Sequence, residues 1–122
     1  MTRHEIVCLY FDCWLLQNPE YLPQIFSKDI VYTECYGPQY KGIEQILHWF
    51  HDWNQVGKVL EWNLLEIWDS DNTLIVKWFF RYMYQNNNGY FDGISLIRFD
   101  EFNKICSIEE FKSEHNHVFP YN

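Results

Sequence analysis

Glu34 is the residue of this chain best placed to do chemistry. It is a lone acid at the end of an apolar strand pattern, Asp29–Tyr36, within FSKDIVYTECYGPQYKG. Period-two alternation puts Ile30, Tyr32 and Glu34 on one face and Val31, Thr33 and Cys35 on the other. A carboxyl in such company loses hydration and its pKa rises, which suits a general acid or base near neutral pH. The competing reading is a structural acid satisfied by tyrosine or backbone donors at the strand end. Glu110 has pocket-side parity on the last strand, whereas Glu109 faces away. Trp14, Tyr32, Trp62, Trp78 and Phe80 can line an apolar hollow for a planar ligand or fill an ordinary core, since large rings serve both purposes. Glu66 shares the parity of Leu60, Trp62, Leu64 and Trp68. An acid on so apolar a face calls for an ion-pair partner, and Lys77 or Arg81 on the next strand is the candidate. Asp92, in FDG, shapes its strand ahead of Gly93.

Other reactive side chains point to less. His48 and His51 lie three apart on a helix, a spacing that could seat two metal ligands, but one points to the polar side and no third ligand accompanies them. His115 and His117 read as solvated tail residues. The four cysteines form no CxxC, so neither a zinc knuckle nor a redox pair is signalled, and free buried thiols are expected. Neither a metal nor a cofactor is implied.

These residues need elements to hold them. Thr2-Arg3-His4-Glu5 is a capping box. The helix it opens carries Ile6, Leu9, Tyr10, Cys13 and Leu16 at helical spacing. Phe11, Trp14 and Leu15 extend the apolar surface around it, so it is covered on several sides. Asn18-Pro19 reads as the start of a short second helix that Pro23 interrupts. A third helix bears the stripe Ile43, Ile46, Leu47, Phe50 and Trp53 and ends at Gly57. Strands then follow near Val59–Trp68, Thr73–Gln85, Gly89–Phe99 and Lys104–Ser113, separated by turn-forming Asp, Asn, Ser and Gly. They make an antiparallel meander. In its longest strand Trp78, Phe80, Tyr82 and Tyr84 alternate with Lys77, Phe79, Arg81 and Met83. Neither face is purely polar, so helices should cover one side of the sheet and a second subunit the other.

At 122 residues the chain reads as one domain, 1–122. Nine Lys and Arg stand against seventeen Asp and Glu, a formal charge of −8, with no basic stripe. Phosphate neutralisation needs clustered cations, so nucleic-acid binding is excluded. No apolar run approaches a membrane span, no secretory leader is recognisable, and a cytoplasmic home is expected.

The order of elements, with IFSKDIVYTECYGPQYKGIEQILHWF and GYFDGISLIRFDEFNKICSIEEF, resembles the nuclear-transport-factor-two-like superfamily. Within it, the chain is most similar to the SnoaL-like polyketide cyclase and ketosteroid isomerase group. The resemblance implies an α+β fold: a cone-shaped barrel with N-terminal helices packed on a curved, mostly antiparallel sheet, a pocket between them, and a homodimer. It sets Glu34 where the isomerases carry their proton-shuttling Asp, and Tyr10 where a Tyr hydrogen-bonds the developing oxyanion. Ser95 stands where they carry a protonated Asp, and a hydroxyl is a weaker donor than a carboxylic acid. The implied function is binding of a small, largely apolar molecule, with acid–base chemistry of isomerase, cyclase or dehydratase type by Glu34 and Tyr10. The alternative is a non-catalytic binding or protein-association module whose hollow is filled by aromatic rings.

Overall fold

The computed structural model describes residues 1–121. In chain order it contains α1 (Arg3–Leu15), α2 (Leu22–Ile25), β1 (Phe26–Thr33), β2 (Gln39–Lys41), α3 (Ile43–Val56), β3 (Gly57–Ser70), β4 (Thr73–Tyr84), β5 (Asn87–Phe99) and β6 (Ile105–Ser113). All six strands form one sheet in the order β2-β1-β6-β5-β4-β3. β1 runs parallel to β6, and every other pairing is antiparallel. The expected α+β architecture, with helices against a curved sheet and a β3–β6 meander, is therefore the observed one.

The capping box forms as its spacing requires: Glu5 N–H donates to Thr2 Oγ1, and Thr2 N–H donates to the Glu5 carboxylate. α1 buries Ile6, Val7, Tyr10, Phe11, Cys13 and Trp14, which is why no clean polar face is visible in its sequence. α2 differs from expectation. Asn18 caps a turn by accepting from Glu20 N–H, and the helix proper starts only at Leu22, with Pro23 in its first turn. Proline there opens the helix rather than interrupting it, because first-turn N–H groups have no helical acceptor to lose.

β1 begins three residues before the expected Asp29 and ends at Thr33. The short β2 was not anticipated. It returns antiparallel on β1, pairing Tyr32 with Tyr40 and Thr33 with Gln39. Three residues carry too little period-two signal to be recognised alone. Gln85 and Asn86, both at positive φ, form the two-residue turn between β4 and β5, so β5 starts at Asn87 and not at Gly89. Gly57 ends α3 in extended conformation. Its need is for space: a Cβ there would lie 2.9 Å from the Tyr84 ring and 3.1 Å from Trp53.

Two bulges in β3, between Val59 and Glu61 and between Leu64 and Glu66, break simple alternation. They put Val59, Trp62, Leu64 and Ile67 opposite the inward-facing Tyr82, Phe80, Trp78 and Val76. Glu66 falls opposite Lys77 on the outer face, where it is exposed. The expected apolar setting for Glu66 is thus wrong, since parity counted across a bulge reverses. Arg81 pairs with Glu61 instead, at 2.7 Å.

Candidate functional site

The inner face of the sheet does not close on the helices. Between β1, β3–β6 and α3 lies a cavity of about 430 Å³, and Trp14 brings α1 to its wall. Its lining is overwhelmingly aromatic. Trp49 of α3 stacks on Tyr40 of β2, ring centroids 4.5 Å apart, and tilts against Tyr32 at 4.9 Å. Trp62, Trp78 and Phe80 meet edge to face on the opposite wall, and Tyr82 stacks on Phe80 at 5.4 Å. Gly93 permits that wall to form, because a Cβ there would come within 2.1 Å of the Trp78 ring.

Two carboxyls enter this aromatic space. Glu34 follows the last residue of β1 in a turn where its N–H donates to Pro38 O and its carbonyl accepts from Gly37 N–H. Gly37, at φ 110°, supplies the left-handed residue the turn needs. The Glu34 carboxylate accepts from Tyr40 Oη at 2.5 Å. Burial pushes its pKa up, and the Tyr40 hydrogen bond opposes that shift. Glu110, on β6, lines the same cavity and accepts from Tyr32 Oη at 2.6 Å. Loss of hydration lifts its pKa to about 8, with the Tyr32 hydrogen bond pulling down and the Glu34 charge pushing up. One donor therefore reaches each acid, in each case a neutral tyrosine hydroxyl.

Tyr10 stands behind this arrangement. Its hydroxyl donates to Tyr32 Oη at 2.8 Å, so a chain of two hydrogen bonds runs from α1 through β1 to Glu110. Burial raises the pKa of both phenols far above their ordinary value, so each stays a proton donor. Tyr10 is 1% exposed and is not part of the cavity lining, because Tyr32 takes its hydrogen bond. Ser95 is absent from the lining too. It is buried at 2% exposure beside Trp78, whose indole Nε1–H donates to Ser95 Oγ at 2.9 Å. The oxyanion position implied for Ser95 is thus occupied by a structural bond.

Of the residues singled out in the sequence, Glu34, Glu110, Trp14, Tyr32, Trp62 and Trp78 line the cavity together. Sequence reasoning missed Trp49, Tyr36 and Tyr40. Trp49 carried a usable signal, lying three residues after Ile46 and four before Trp53 on the buried side of α3. Tyr36 and Tyr40 flank a turn whose path alternation does not predict. The indole Nε1–H groups of Trp14 and Trp62 have no hydrogen-bond partner and are sealed from the cavity. Trp62 is ringed edge to face by Tyr10, Trp78 and Phe80, whose π faces are weak acceptors.

The remaining candidates lie outside. His48 contacts Asp52 at 3.0 Å on the exposed side of α3. His115 is exposed in the tail, as expected. It contacts Asp92 at 2.8 Å and packs on Phe79 with centroids 4.8 Å apart, on the outer sheet face. Among the described residues no three His, Cys, Asp or Glu gather as metal ligands, and no helix is long and apolar enough to cross a membrane. The cysteines are free, but only Cys13 is fully buried; Cys35 reaches the cavity with its pKa lifted by burial to about 11.

A family model for the SnoaL-like domain matches residues 7–108. No curated protein matches the chain. Solved structures of the same fold do. A hypothetical protein with a ketosteroid isomerase-like fold from Catenulispora acidiphila, in complex with trimethylamine, superposes with a TM-score of 0.79 at 19% identity, over 89% of this chain and 85% of that one. A protein of unknown function with a cystatin-like fold from Xanthomonas campestris gives 0.75 at 14% identity, over 94% and 93%. An NTF2-like protein from Burkholderia thailandensis gives 0.75 at 18% identity, over 93% and 92%.

Proposed function

The chain belongs to the SnoaL-like domain family, and from that footing we propose that it binds a small, largely apolar organic molecule in its cavity and moves a proton on it. The observation that carries this reading is a pair of carboxyls, Glu34 and Glu110, in one aromatic hollow of about 430 Å³. That volume lies in the range of small-molecule sites, and apolar walls with a few polar groups are their usual make-up. Glu110, with a pKa near 8, holds its proton at neutral pH and serves as the acid. Glu34 is the base, its carboxylate oriented by Tyr40. Two carboxyls facing one site, one of them protonated at neutral pH, can act as an acid–base pair, the requirement of isomerase, cyclase and dehydratase chemistry. Tyr10 acts through Tyr32 and Glu110 rather than on the ligand. The trimethylamine held by the Catenulispora protein supports a ligand of modest size.

The test is proton exchange. The protein is incubated in D2O with a panel of small cyclic ketones, and loss of the α-proton signal is followed by NMR. Exchange above the buffer rate is expected for at least one member, and Glu34→Gln should abolish it while leaving the melting temperature unchanged. Exchange that survives the substitution removes Glu34 from the mechanism.

The protein-association reading has its own observation. Trp68 (44% exposed), Tyr90 (51%) and Phe111 (53%) stand on the outer sheet face. We propose that a second copy covers this face, giving a homodimer through the sheet and leaving the cavity on the opposite side.

A further inference from the structure

We propose that the ligand is a small organic cation, a methylated or alkylated ammonium, held by the aromatic walls with its charge against Glu34 and, above neutral pH, against Glu110 as well. The proposal rests on the cavity reading above and specifies its chemistry.

The charges of the lining are one-sided. Glu34 and Glu110 line the cavity, Asp52 stands at its exposed rim 3.0 Å from His48, and among the described residues no Lys, Arg or His belongs to the lining. The donors that reach the two inner acids are the neutral hydroxyls of Tyr40 and Tyr32, each bonded to a single carboxylate oxygen. A carboxylate drawn into an apolar site without a counter-charge is costly, and a bound cation removes that cost.

The walls suit the same ligand. Tyr32, Tyr40, Trp49, Trp62, Phe80 and Tyr82 surround the space from β1–β4 and α3, and aromatic cages favour quaternary ammonium groups. An alkylated ammonium also matches the apolar surface with its methyl groups, which a hydrated metal ion could not do. The protein already uses two rings of this lining in that way. Lys112 Nζ lies 4.9 Å from the Tyr36 centroid and 5.6 Å from that of Phe91 at the edge of the site.

A cation should also couple binding to pH. The ionisable groups around Glu110 are Tyr10 from α1, Tyr32, Glu34 and Cys35 from β1 and its turn, Lys112 further along β6, and Asp52 from α3. Tyr32, Tyr10 and Cys35 keep their protons up to high pH, whereas Glu110, at about 8, changes charge within the range of pH 6 to 9. Ionised Glu110 attracts an ammonium; protonated Glu110 does not.

The experiment is isothermal titration with choline and with 3,3-dimethylbutan-1-ol, which replaces the ammonium nitrogen by carbon and keeps the shape. Choline should bind at least tenfold more tightly than the alcohol at pH 8.5. Its affinity should fall severalfold on lowering the pH to 6, and Glu110→Gln, checked for folding by its melting curve, should remove that pH dependence. If the alcohol binds as well as choline or better, the cation is refuted and the apolar pocket stands. If neither binds at millimolar concentration, the pocket reading and this proposal both fall.

Discussion

Replacing Glu110 by Gln should flatten the pH dependence of stability, and the size and sign of the effect follow from its setting. The Glu110 pKa rises from an ordinary 4.5 to about 8 in the folded protein, chiefly through loss of hydration. Between those two values the native state keeps a proton that the unfolded chain releases. Unfolding is therefore favoured as pH climbs from about 4.5 through about 8, and the loss is complete above that. Below 4.5 both states are protonated and the group contributes no slope. At about 1.4 kcal/mol per pH unit the loss has a ceiling of about 5 kcal/mol. The cavity is open to water, which screens the ionised carboxylate, so we take about 2 kcal/mol as the working figure. Gln matches the protonated acid in shape, and its carbonyl can still accept from Tyr32 Oη. Urea denaturation at pH 5, 7 and 9 measures the effect. Wild type and Glu110→Gln should be equally stable at pH 5, and the variant should be about 2 kcal/mol more stable at pH 9, roughly 6 °C in melting temperature for a domain of this size. Parallel curves across that range would refute the claim that burial perturbs Glu110.

Tyr32→Phe removes the hydroxyl that links Tyr10 to Glu110. It leaves one buried phenol without its acceptor and should cost about 1–3 kcal/mol by chemical denaturation; because the lost bond had favoured the carboxylate, the pKa of Glu110 read by NMR should rise further. Gly93→Ala drives a methyl to within 2.1 Å of the Trp78 ring, and since that ring is pinned by Ser95 the melting curve should shift by about 1–3 kcal/mol or more. A wild-type melting temperature in this variant would mean that Trp78 moves freely. Trp68→Glu puts a charge on the exposed outer sheet face and should turn a dimer into a monomer in native mass spectrometry without altering the cavity. A wild-type protein that stays monomeric at high concentration would end the idea of a sheet-face dimer.

Much of this molecule was legible from local pattern. The capping box, the apolar stripe of α3 and the alternation of Trp78, Phe80, Tyr82 and Tyr84 each depend on residues a few positions apart, and the backbone periods of 3.6 and 2 translate such spacing directly into faces. The inward face of Ile30 and Tyr32 followed from the same rule, as did the inward parity of Glu110, but β1 ends at Thr33, so Glu34 lies beyond the alternation and Cys35, expected on the opposite face, lines the same cavity. Where the rule was interrupted it misled. The second bulge of β3, between Leu64 and Glu66, moved Glu66 to the outer face, and the turn at Glu34–Gly37 folded back a three-residue strand that brought Tyr40 onto Glu34.

Only the tertiary structure decided which polar groups met. Tyr32 and Glu110 are separated by 78 positions, yet the parallel pairing of β1 with β6 sets them within one hydrogen bond. Ser95 was turned from an expected pocket residue into the acceptor of Trp78, and Tyr10 was set behind Tyr32 rather than on the cavity wall. A sequence read alone determined the helices, the strands and the inward parity of Tyr32 and Glu110, because those depend on periodicity; the cone with its pocket was what the resemblance to the SnoaL-like group implied. Whether the rings closed that space or left it hollow depended on how side chains from six strands and two helices interdigitate, a packing problem that no stretch of sequence contains.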